Sequence, residues 1–176
     1  MQYVMKAGIL FAPGNEKKLA QIKGTFGRAM KTIYLPDVSM QYQVDIVVKE
    51  GSGEKSGDVL NRGYILKNNS GEVLMEAHPG YARDDDPDEV GWTVCQVPKV
   101  DHADVWIGGT VYVLVMYNSQ NYVLQDKNGT LVLQVMHKGI SGGWMIDTIK
   151  NFSAEVVCGL FIFCRYIEQE NEFIIV

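Results

Sequence analysis

The stretch "SAEVVCGLFIFCRYIEQE", residues 153–170, constrains this chain more than any other. From Ala154 to Cys164 only Glu155 is charged, and polar residues return at Arg165 and persist to Glu172. Ser153 suits a helix N-cap, and Glu155 suits the positive end of a helix dipole. A helix built here is apolar on every side until Arg165, so it must lie within protein or within lipid. Its apolar length decides between them: residues 154–164 span only about 16 Å as a helix, whereas a bilayer core needs roughly 20 residues. The stretch is therefore expected to be a buried core helix and not a transmembrane segment.

A helix apolar all round needs cover all round, and a flat sheet covers one face. A closed barrel can enclose it, with about eleven or twelve strands, because eight are already filled by their own side chains. The rest of the chain reads accordingly. Short β-rich runs recur at 31–36, 42–50, 62–68, 72–78, 91–97, 110–117, 121–126, 130–137 and 143–149. Turn compositions such as "PGN", "GSGEKSGD", "NNSG" and "DKNG" separate them. Two hairpins look like copies: one led by Tyr64 and turning at Gly71, the other led by Tyr122 and turning at Gly129. The expected fold is one mainly-β domain over residues 1–176, a closed antiparallel barrel of about 12 strands enclosing a C-terminal helix at 153–170.

Charge is unevenly placed. The chain has 176 residues and a formal net charge of −5, which argues against nonspecific binding of the molecule as a whole to nucleic acid or anionic lipid, and no nucleic-acid partner is expected. Yet Lys6, Lys17, Lys18, Lys23, Arg28 and Lys31 face one acid, Glu16, within the first 31 residues. The ordinary reading is an edge strand guarded by lysine. The functional reading is an anion site formed by Lys17, Lys18, Lys23, Arg28 and Lys31, since phosphate recognition needs converging cationic donors. Regular strand alternation would put Lys17, Lys23 and Lys31 on one side. Cys95, Cys158 and Cys164 have no CxxC spacing and read as reduced thiols of a cytoplasmic protein. The first residues lack the apolar region of a secretory signal.

Catalytic and metal constellations are weaker. Ser141 in "GISGG" lacks the nucleophile-elbow spacing. Asp101, His102 and Asp104 form a ligand set for a metal-assisted hydrolase, but the ordinary reading is a surface loop. The acidic run 84–89, "DDDPDE", lacks the calcium-loop pattern. No cofactor is expected.

The ordered combination of "YILKNNSGEVL", "YVLQDKNGTLVLQVMHKG", "WMID" and the final helix resembles the tubby C-terminal-like superfamily, which includes tubby proteins, LURP-one-related proteins and phospholipid scramblases. Asp126 and Gly129 match the family's D-x-x-G turn and Lys138 its lysine position. In the first copy Asn68 replaces the Asp, and His78-Pro79-Gly80 stands where the lysine would fall. The resemblance implies a twelve-stranded barrel around a central helix. Its functions differ between members: tubby proteins bind phosphoinositides and scramblases act at membranes. The leading expectation is a non-enzymatic binding or scaffold module, cytoplasmic and peripheral to the membrane, with an anionic lipid headgroup or a protein as partner. The alternatives are a scramblase-like protein whose helix enters lipid, and the metal-assisted hydrolase.

Overall fold

The computed structural model describes residues 1–14, 17–24, 29–36, 40–48, 61–82, 99–139 and 142–172. Among these, twelve strands precede one helix. They are β1 (Gln2–Lys6), β2 (Ile9–Phe11), β3 (Lys18–Gly24), β4 (Lys31–Tyr34), β5 (Gln41–Val48) and β6 (Arg62–Asn68), then β7 (Val73–Tyr81), β8 (Val100–Ile107), β9 (Thr110–Asn118), β10 (Asn121–Asp126), β11 (Leu131–His137) and β12 (Trp144–Thr148). The helix α1 runs from Ala154 to Glu172. Each strand pairs antiparallel with its sequence neighbour, and β1 pairs with β12, so the sheet closes into a barrel. This is the expected architecture, with three strands before residue 31 that the run of short β segments did not announce.

The alternation along each strand builds the barrel from within. Met5, Leu10, Ala20, Ile33, Val44, Leu66, Leu114 and Val135 point inward and are essentially inaccessible to solvent. Lys, Gln and Asp occupy intervening outward positions on β3, β5 and β6. That order is the reverse of a lipid-embedded barrel, whose outer band is apolar and whose lumen is polar. The inward side chains meet α1, where Val157, Cys158, Leu160, Phe163, Cys164 and Ile167 are fully buried. Gly159 lets the helix approach the wall: a Cβ there would lie 2.6 Å from the Met75 methyl carbon and 3.1 Å from a Leu66 methyl. Ser153 stands just before the helix, and its carbonyl accepts the Val157 N–H at 3.0 Å. Among the described residues no helix is long and apolar enough to cross a membrane.

The duplicated hairpins are duplicated in space. In β6–β7 the register shifts between Leu66 and Lys67, and in β10–β11 between Leu124 and Gln125, at matching positions. Asn68 Oδ1 accepts the Ser70 and Glu72 N–H groups, both at 3.0 Å. Asp126 Oδ1 accepts those of Asn128 at 2.8 Å and Thr130 at 2.9 Å. Gly71 and Gly129 take φ of 85° and 79°, the left-handed region open to glycine. The Asn-for-Asp departure in the first copy leaves the turn geometry unchanged, because both residues offer the same acceptor oxygen.

Candidate functional site

The lysines proposed from sequence fall on β3, β4 and their flanks. Lys18 donates to Gln21 Oε1 at 2.7 Å, and the Lys23 ammonium lies 4.9 Å from the Tyr34 ring centroid. Gln21 and Tyr34 are direct partners across β3–β4, so they join the two ammonium groups into one strip on the outer wall. Lys17 is exposed next to this strip, and its carbonyl accepts the Ala12 N–H at 3.2 Å to close the β2–β3 turn. Lys31 departs from the expectation. It pairs with Gly24 two residues from the inward Ile33, whereas Lys23 is one residue from the inward-facing Ile22. Lys23 and Lys31 therefore point to opposite faces, and alternation does not carry through the connection between the strands. Arg28 lies outside the described residues.

Register adds cations that sequence reading missed. One outward row runs Lys6, Ile9, Gln21, Tyr34, and a second runs Lys23, Thr32, Gln43, Lys67. At about 4.8 Å per strand step, Lys23 and Lys67 lie roughly 14 Å apart. Within the strands charge is unevenly divided, although Lys99, Lys127, Lys138 and Lys150 flank the strands of the second half. Strands β1–β6 hold Lys6, Lys18, Lys23, Lys31, Arg62 and Lys67 against Asp45 alone. Strands β7–β12 hold Glu76, Asp101, Asp104, Asp126 and Asp147 and neither Lys nor Arg. An edge strand cannot explain the lysines, because β3 is paired on both sides and a closed barrel has no edge.

Asp101, His102 and Asp104 lie on β8 and not in a loop. Ala103 and Val105 point inward and His102 and Asp104 outward, while Asp101 falls at the register shift against β7, an arrangement concealed by their turn-like composition. They do not gather as a ligand set. His102 Nδ1 lies 2.6 Å from Asp101 Oδ1, while Asp104 pairs across the sheet with His78. Among the described residues no group of three His, Cys, Asp or Glu side chains converges to hold a metal. Ser141, Cys95, the run 84–89 and the strand expected at 91–97 lie outside the described residues.

At the mouth where α1 ends, charge enters the barrel interior. Glu170, with its side chain only 5% exposed, pairs with Arg62 at 2.5 Å, and Arg165 pairs with Glu168. The two repeat tyrosines meet these acids. Tyr122 donates toward Glu168 Oε2 at 3.4 Å. Burial, and then the Glu170 charge, push the Tyr64 phenol well above its ordinary range. The Tyr64 hydroxyl and Glu170 Oε1 are buried without a hydrogen-bond partner among the described residues. The Asn171 amide spans the gap to the wall, accepting the Val100 N–H at 2.9 Å and donating to the Val100 carbonyl at 2.8 Å. These contacts anchor the helix end. A groove of about 530 Å³ is lined by Gln2, Leu131, Ile149, Asp147 and Thr148, and by none of the lysines.

No protein-family model matches the chain, and no curated protein or solved structure is significantly similar to it.

Proposed function

We propose that this chain is a non-enzymatic binding module of tubby-like kinship, cytoplasmic and peripheral to the membrane, whose β1–β6 wall takes an anionic ligand such as a phosphoinositide headgroup. One observation carries the reading: Lys6, Lys18, Lys23 and Lys67 face outward on β1–β6 beside the single outward acid Asp45, on a barrel that has no edge for lysine to guard. Such a wall attracts and orients an anionic surface, and the attraction is screened by salt. The kinship draws support from the twelve-stranded barrel around a C-terminal helix. The buried free thiols of Cys158 and Cys164 suit a reducing compartment. Co-sedimentation with neutral, phosphatidylserine and phosphoinositide vesicles tests it. Salt-sensitive binding to the anionic vesicles alone is expected. Protein that stays in solution with every vesicle overturns the lipid ligand and moves the search to a protein partner.

A further inference from the structure

The acidic half of the barrel carries a surface that the anionic-ligand reading leaves unused. On β7 and β8 the inward positions are taken by Met75, Ala77, Ala103 and Val105, so Glu76, His78, His102, Asp104 and Trp106 face outward. The register sets Glu76 beside Trp106 and His78 beside Asp104. His78 is bonded to Glu76 at 2.6 Å and packs on the Trp106 ring at 4.8 Å between centroids. On the next strand Val111 and Val113 lie beside Trp106 and Asp104, and Val111 is 42% exposed. An aromatic side chain with valines, flanked by Glu76 and Asp104, has the composition of an interface centre with a charged rim.

The wall on the other side of the barrel is its complement. There Lys18 and Lys23 flank Gln21 and Tyr34, with Phe11 registered against Lys18. In a ring of twelve strands β3 and β8 are five places apart, so the two walls lie on nearly opposite sides. A two-fold dimer would set like charge on like charge. Head-to-tail contact sets lysine on acid at every junction, and it propagates because each copy keeps one wall free.

We propose that the acidic wall of β7–β9 docks the lysine wall of a second copy of this chain, giving a salt-sensitive, head-to-tail assembly. It shares Lys18 and Lys23 with the anionic-ligand reading, but its assay contains no vesicle, so the two stand or fall separately.

Sedimentation velocity over a range of protein concentrations at low and physiological salt tests the assembly. Wild-type protein should associate at low salt and dissociate as salt is added. Lys18→Gln/Lys23→Gln and Glu76→Gln/Asp104→Asn should each weaken self-association about tenfold or more. Circular dichroism confirms that each variant is folded. An equimolar mixture should then form a discrete one-to-one pair, since each variant retains the wall that the other has lost. A wild-type monomer throughout, unchanged association in either variant, or a mixture that stays monomeric overturns the proposal.

Discussion

Tyr64 and Tyr166 sit in the same aromatic cluster, with ring centroids 5.2 Å apart, yet their hydroxyls differ in what they reach. Tyr166 donates to the Ala29 carbonyl at 2.5 Å and lies 3.3 Å from the Val44 carbonyl on the wall, while the Tyr64 hydroxyl is buried without a hydrogen-bond partner among the described residues. Tyr166→Phe should therefore cost about 1 kcal/mol, and Tyr64→Phe should be neutral or stabilising, because it removes an unpaired buried group. Equal losses in urea titrations would contradict this contrast. Asp126 supplies a pH test. The Thr130 and Asn128 N–H bonds hold its carboxyl below the usual range, so its contribution is present above the unfolded-state pKa and is lost as pH falls through the folded value. Asp126→Asn should keep the turn, as Asn68 does in the other copy, and flatten the acid side of the melting-temperature profile. A profile with the same slope would show that this carboxylate is not linked to folding. Sequence concealed the equivalence because an amide and a carboxylate are different letters presenting the same acceptor oxygen.

The helix was the most legible element, because a stretch apolar on all sides leaves few places to hide. Its length in the structure, Ala154 to Glu172, exceeds its apolar part, since the mouth supplies partners for Glu168, Glu170 and Asn171 that sequence could not place. Strand β8 was missed for the opposite reason. Asp101, His102 and Asp104 resemble a turn when read as composition, and the alternation of His102 and Asp104 with Ala103 and Val105 emerges only in the sheet. Burying some eleven apolar helix side chains is worth tens of kcal/mol gross at about 1.5–3 kcal/mol each, so withdrawing the helix into lipid would unfold the barrel. Leu160→Ala should destabilise by about 2–5 kcal/mol. Gly159→Val should be worse tolerated than exposed controls, because its branches would press on Leu66 and Met75. A loss below about 1 kcal/mol for Leu160→Ala would mean that the barrel does not depend on the helix for its core.

At the scale of the molecule the defining property is an uneven outward face: Lys18, Lys23 and Lys67 on β3–β6, Glu76 and Asp104 on β7–β8. The N-terminal excess of lysine is plain in the sequence, but its assignment to a wall is not, because it requires strand bounds and register. Lys23 and Lys31 share parity and still face opposite ways, and Lys67, far along the chain, lies in the same outward row as Lys23. Net charge alone, at −5, points away from the anionic ligand proposed for the lysine wall. The direct test compares Lys18→Gln/Lys23→Gln with Glu76→Gln/Asp104→Asn in co-sedimentation with phosphoinositide vesicles at low salt. The account predicts that the lysine pair abolishes binding and the acidic pair leaves it intact. Equal binding by both variants, or wild-type protein remaining in the supernatant, would contradict it.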